Sequence, residues 1–263
     1  MLVNDRCANC DRAIDGADQK FCPACGQPTP AHRIDWHFLA HEIEHSLLHM
    51  DRGVLYSLRE LMLRPGHLMR GYLEGRRAQQ VKPLLLLMMS AAAVLLLSKY
   101  FLGGDFVGSS MQDGFSQGKT VSGGGAIDPA LVVKAMDDVK NWINAHLTAL
   151  TLLYLPIEAA VFRLVFRKSG LNYPEWLVVS VFLTVQAFVF MAVSTVARPW
   201  FPSAQTWITA IVLAYNAASL VQLFRDQPRW KTALRAILGL GLFVAVQIIL
   251  GVIALALLLV IRS

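Results

Sequence analysis

Histidine recurs every fourth residue at His37, His41, His45 and His49, and inside that run stands His41-Glu42-x-x-His45. On a helix, residues four apart share a face. His41 and His45 are therefore spaced to hold Zn²⁺, and Glu42 to act as general base of a metalloprotease. That chemistry needs a third ligand, and His49, on the same straight helix, does not readily complete a shell around one ion. Glu44 also places a charge inside the motif, where such enzymes normally have an uncharged residue. Two other uses fit the same spacing. The ridge is a pH- or metal-responsive surface, because imidazole changes charge near neutral pH, or it supplies structural hydrogen bonds. The structural use is the simplest.

The second cluster is sharper. Cys7-Ala8-Asn9-Cys10 and Cys22-Pro23-Ala24-Cys25 are two knuckles separated by eleven residues, and they hold all four cysteines of the chain. Two such turns aim four thiolates at one ion, which favours tetrahedral structural Zn²⁺ over rubredoxin-like iron or a redox dithiol. Four clustered thiols with paired spacing also indicate a reducing compartment rather than a disulfide framework. Gly26, just after the second pair, is free to take the positive φ that turns the backbone beneath the sulfurs. A complete set of four cysteines leaves no open position for water, so this site should hold structure rather than catalyse. Metal binding would be the main folding energy of so small a module.

Several elements must position these residues. Pro28-Thr29-Pro30 makes a short stiff linker. Asp35 then caps a predicted helix from Trp36 to about Met50, with Trp36, Leu39, Ile43, Leu47 and Met50 inside an arc of about 80° and the histidines opposite. Beyond Gly53 the apolar residues Val54, Leu55, Leu58, Leu61 and Met62 recur at helical spacing. Arg64-Pro65-Gly66 makes a turn, and a further short helix carries Leu68, Met69, Tyr72 and Leu73. From Arg52 to Lys82 there are seven basic residues and two acidic ones. Such a segment just before a membrane span is expected to lie in the headgroup layer of the lipid bilayer, with Arg70, Arg76, Arg77 and Lys82 facing anionic headgroups. Nucleic acid is disfavoured as a partner, because the ribbon has no aromatic stacking platform.

These residues carry a resemblance. Cys-x-x-Cys followed by Phe21-Cys22-Pro23-x-Cys25-Gly26-Gln27, then the histidine run from His41 to Gly53, resembles a family of bacterial multi-pass membrane proteins of unknown function. The likeness continues through Leu58, Leu61, Arg64-Pro65-Gly66, Arg70, Tyr72, Gly75-Arg76-Arg77 and Pro83, about the first third of the chain. It implies a zinc-ribbon membrane protein with no established activity. Members of that family carry tyrosine, glutamate and then histidines in a later span. Here Tyr173 and Glu175 are present but Trp176 stands where a histidine is expected, which argues against a histidine-lined metal site within the membrane.

With 55% hydrophobic and only 16% charged residues in 263, the chain is too apolar for an ordinary soluble domain. Met1 to Arg6 lead straight into polar sequence without the apolar core of a signal peptide. Apolar stretches long enough to cross a bilayer are expected at about 83–102, 145–166, 174–197, 204–224 and 237–261. Gly103 to Ala126 carries eight glycines and is expected as an external loop. Asp128-Pro129 then starts an amphipathic helix ahead of the second span. Basic residues concentrate before Pro83, at Arg167-Lys168 and between Arg225 and Arg235. By the charge rule these segments are cytoplasmic, which places the N-terminus in the cytoplasm and Ser263 outside the bacterial inner membrane.

Inside the expected spans lies Glu158, two residues after Pro156, and a carboxyl in hydrocarbon is a functional candidate by default. Gln186, Asn216 and Gln247 sit at comparable depth in other spans. Together the four would make the polar interior of a small-solute or proton-linked transporter, or they serve helix packing. No inverted repeat or pair of broken helices supports transport. The resulting expectation is an all-α polytopic membrane protein of about five spans. Residues 1–30 form a zinc ribbon, 31–82 interfacial helices and 83–263 the membrane domain. The favoured role is non-enzymatic, an adaptor or regulator that meets a cytoplasmic protein partner.

Overall fold

The computed structural model describes residues 6–14, 19–29, 31–40, 53–103, 129–201 and 204–262. Downstream of the cysteines it is helical. The helices are α1 (Val54–Leu63), α2 (Pro65–Leu73), α3 (Pro83–Leu102), α4 (Pro129–Val165), α5 (Tyr173–Ala197), α6 (Ala204–Leu223) and α7 (Arg229–Arg262). Local chemistry sets their ends. Proline occupies the first turn of α2, α3 and α5, where its missing N–H costs nothing. Gly103 closes α3 in the left-handed conformation, at φ 62°. A capping box starts α5: Asn172 accepts from the Glu175 backbone, and the Glu175 side chain accepts from the Asn172 backbone.

Three helices are long and apolar enough to cross a membrane: Pro83–Leu102, Tyr173–Ala197 and Arg229–Ala254. A fourth span is available if the bent pair Asp137–Leu147 and Ala149–Val165 counts as one. The bend is 83°, with His146, near the end of the first half, in a non-helical conformation. It falls where the sequence divides the amphipathic helix from the second span. The fifth expected stretch, 204–224, is present as α6, whose apolar part Trp207–Leu223 is shorter than the other three. The last helix begins at Arg229, so Arg229, Lys231 and Arg235 are helical rather than part of a loop.

Helix α5 is the centre of the bundle. It packs against α1, α2, α3, α4 and α6, while α7 closes the structure against α4 and α6. Its cysteine-proximal half is held by aromatic rings. Trp176 is fully buried, stacked on Phe162 with centroids 5.7 Å apart and close to Phe166 and Phe224. Phe162 in turn sits over Gly239 of α7, where an added Cβ would lie 2.8 Å from the ring. The aromatic cluster thus fastens four helices at one level.

The amphipathic segment at 54–73 does not lie as a free surface layer. Its two helices form a hairpin packed on the bundle, α2 against α6 and both against α5. Leu61, Leu68, Met69 and Tyr72 are buried, and Leu55 and Leu63 face outward. Gly66 makes the close approach possible, because a Cβ there would collide with the backbone of Gln222 and Leu223. Amphipathicity identified an apolar face correctly, but that face is covered by protein.

Candidate metal centre and buried polar sites

The two cysteine knuckles fold as near copies. In each, the residue after the second cysteine donates its N–H to the first cysteine's carbonyl: Asp11 to Cys7 and Gly26 to Cys22, both at 2.9 Å. In each, the first cysteine donates its own N–H five residues on, Cys7 to Arg12 and Cys22 to Gln27, both at 2.8 Å. Both pivots have positive φ, 72° at Gly26 and 59° at Asp11. Asp11 fills the second pivot because aspartate tolerates this conformation better than most side chains.

This fold brings Cys7, Cys10, Cys22 and Cys25 together with all four sulfurs within 4.8 Å of one another. The Cys7–Cys25 and Cys10–Cys22 pairs are each 3.6 Å apart. A tetrahedral site with metal–sulfur bonds of about 2.3 Å needs sulfurs about 3.8 Å apart, so the cluster fits one such ion. Its electrostatics point the same way. Backbone N–H groups of Ala24 and Cys25 pull the Cys22 thiol down to about 6. Cys10 is pushed up to about 12: the Arg12 amide lowers it, but desolvation and the thiols of Cys22, Cys25 and Cys7 outweigh that pull. Four thiolates this close repel one another, and a divalent cation is what allows all four to ionise.

The module is attached to the helices by long-range contacts that spacing along the chain does not reveal. Gln27 is buried, and its side-chain oxygen accepts the Arg77 backbone N–H at 2.9 Å. Gly75, at φ 91°, lets the chain pass against Ala31, where an added Cβ would come within 2.9 Å. Downstream, Arg33 donates from Nε and Nη2 to the two carboxylate oxygens of Glu175, at 2.7 and 2.8 Å, and from Nη2 to the Gly170 carbonyl. Asn172 donates to the Ile34 carbonyl at 2.8 Å, and Trp36 packs on Tyr173 at 5.6 Å. Every one of these contacts except that of Gln27 and Gly75 reaches the first turn of α5 or the turn before it. The Asn172-x-x-Glu175 capping box was visible in the sequence; its arginine partner, 142 residues away, was not.

The other expected site residues are distributed as follows. Asp35 caps a helical turn at 36–40, accepting from Phe38 at 2.8 Å, as expected. His41, Glu42, His45 and His49 lie outside the described residues. Of the basic residues assigned to lipid, Arg70 donates to the Leu223 carbonyl and pairs with Asp226, and Arg76 pairs with Glu74. Arg77 lies over the Phe38 and Tyr72 rings and donates to the Tyr72 and His32 carbonyls. These three arginines are therefore engaged within the protein, and Lys82 sits at the start of α3.

Among the described residues the polar side chains of the spans make separate hydrogen bonds. Gln186 and Asn216 both bond across the α5–α6 contact. Gln186 donates to the Leu61 carbonyl at 3.2 Å and accepts from Ser219 at 3.2 Å. Asn216 donates to the Leu183 carbonyl at 3.5 Å. Tyr215 adds a 2.6 Å bond to the Met62 carbonyl. Gln186 and Tyr215 thus satisfy carbonyls at the C-terminus of α1 that its own helix leaves open, which is a packing role. Glu158 stands apart: its one described partner is the Thr184 hydroxyl at 3.5 Å. Gln247 joins neither group among the described residues. Among the described residues no hydrogen bond links Glu158 or Gln247 to Gln186 or Asn216.

No curated protein and no solved structure matches the chain. A family model described as a protein of unknown function (DUF3667) matches residues 51–94, the stretch from the end of the histidine run through α1 and α2 into α3.

Proposed function

We propose that the chain is a membrane-anchored adaptor or regulator. In this reading the four cysteines hold structural Zn²⁺, and the loaded ribbon together with the histidine segment meets a protein partner. The observation that carries it is the attachment of the cysteine module. Gln27 bonds to Arg77, and Arg33 grips the first turn of the central helix. A closed four-sulfur site has no open position for substrate, so its use is to hold a shape. The contacts around it fix that shape relative to α5, so a partner gripping the ribbon acts directly on the central helix. The charge rule puts this end of the bundle on the cytoplasmic face of a bacterial inner membrane, with Lys82 toward anionic headgroups.

Two measurements test the reading. Metal analysis of the purified full chain is expected to give about one zinc per chain, lost in Cys22→Ser. Cross-linked partners captured from membranes are then compared between the intact chain, Cys22→Ser and the double variant His41→Ala/His45→Ala. Loss of one and the same partner from both variants is expected. Retention of every partner by both would refute the adaptor role.

A further inference from the structure

One stripe of α4 leaves the bundle carrying two guanidinium groups with no carboxylate opposite them. Ala160, Arg163 and Leu164 are spaced i, i+3 and i+4 on α4 and so share a face, Arg167 follows in the turn just after the helix, and all four are exposed. With Leu171 and Tyr173 they line an open groove of about 590 Å³. The Tyr173 ring forms one wall, its centroid 6.0 Å from the Arg163 guanidinium carbon. Its hydroxyl is already committed, donating to the Pro156 carbonyl at 2.9 Å.

The charge balance is what distinguishes this groove. Among the described residues no carboxylate lies within ion-pair distance of Arg163 or Arg167. The two acidic side chains that might have served are used elsewhere: Glu175 binds Arg33 and Glu158 faces Thr184. Lys168 adds a third exposed cation beside them. Position matters equally. The apolar part of α4 runs to Val165, so the stripe starts within it and ends just beyond it. One end of the groove is hydrocarbon, at Ala160 and Leu164, and the other is cationic. A free inorganic anion would use only the second end, whereas an amphiphile with a phosphate headgroup uses both.

We propose that this groove binds an anionic phospholipid. The phosphate sits between Arg163 and Arg167, drawn by their two positive charges, and an acyl chain lies along Ala160 and Leu164. Basic pockets at the ends of membrane helices recognise headgroups on these terms.

The test uses the full chain in a neutral detergent, with lipid binding followed by native mass spectrometry. Dioleoylphosphatidylglycerol is titrated against dioleoylphosphatidylcholine. The anionic lipid is expected to bind tighter, and Arg163→Gln/Arg167→Gln to weaken it roughly thirtyfold, from two phosphate-facing charges, with the neutral lipid unaffected. Arg225→Gln, an exposed arginine in the α6–α7 turn, is expected to change nothing. Arg163→Lys/Arg167→Lys keeps both charges and is expected to keep the preference. Equal binding of the two lipids, an unchanged double glutamine variant, or loss of preference in the lysine variant would each overturn the proposal. So would inorganic phosphate displacing the lipid mole for mole, which would make the groove a simple anion site. Both arginines are exposed, and an unchanged melting profile of each variant separates lost binding from lost fold.

Discussion

The Arg33–Glu175 pair lends itself to a double-mutant cycle, because each partner has a substitution that isolates the contact. Arg33→Ala removes two charged hydrogen bonds to Glu175 and one to the Gly170 carbonyl. It also leaves the Glu175 carboxylate, only 5% exposed, with the capping bond from Asn172 alone. Hydrogen bonds to charged groups contribute about 1.5–3 kcal/mol when sheltered. The Arg33 side chain is 52% exposed, which moves the value toward the weaker surface range. The expected loss is therefore about 2 kcal/mol. Glu175→Gln keeps an amide oxygen that can still complete the capping box while removing the charge, so its expected loss is smaller, about 1 kcal/mol. In the double variant the two losses should overlap, leaving a coupling of about 1 kcal/mol. The assay is urea unfolding of the detergent-solubilised full chain, with metal content measured alongside. Bound metal is expected to stay unchanged in all three variants, because none touches a cysteine. A coupling within about 0.3 kcal/mol of zero would refute the claim that this pair joins the module to α5.

Other substitutions probe separate links. Gly66→Ala forces a methyl group into the backbone of Gln222 and Leu223 and should cost about 1–3 kcal/mol by overpacking; an unchanged melting temperature would show that the α1–α2 hairpin does not dock there. Gln186→Leu strips the donor from the Leu61 carbonyl and the acceptor from Ser219, an expected loss of about 1–3 kcal/mol, seen also as faster hydrogen exchange in α1. Chelation of the bound metal should unfold residues 6–29 while leaving the helical circular dichroism of the bundle intact, since the module's fold rests on its metal and the bundle has its own core; concerted loss of both would show that the two fold as one unit. Gln27→Leu leaves the Arg77 N–H without its acceptor and should speed exchange of that amide with metal content unchanged.

Sequence made the local chemistry legible and left the long-range partners hidden. The metal cluster was readable because its geometry is set by four residues in two short turns, although the second pivot, Asp11 at φ 59°, escaped a search for glycine. Helix positions were readable from apolar length and from proline and glycine at the ends. What covers each helix was not. An apolar stripe on residues 54–73 is the same pattern whether lipid or protein lies against it, and the deciding feature was the missing side chain of Gly66. Polar residues in spans show the same limit. Depth along a helix is visible in sequence, but rotation about its axis relative to a neighbour is not. Gln186 and Asn216 therefore bond across the α5–α6 contact while Glu158, at comparable depth, turns to Thr184.

The segment between the cysteines and the histidines is short, yet two of its side chains land on the same turn of α5. Arg33 takes Glu175, and Trp36 lies against Tyr173. Tyr173 is also a wall of the arginine groove on α4. The metal module and the groove thus share one aromatic ring. A shift of the ribbon that carried Trp36 away would change the shape of the groove, and a lipid that fixed the ring would favour one seating of the ribbon. Coupling of this kind is reciprocal by thermodynamic linkage, and its size is limited by what Tyr173 can transmit. The ring is partly buried and its hydroxyl is bonded to Pro156, so it moves as part of the α4–α5 contact rather than as a free side chain. The arginine groove and the chain that follows the cysteine module are therefore joined through packing, and the joint is at the first turn of the central helix.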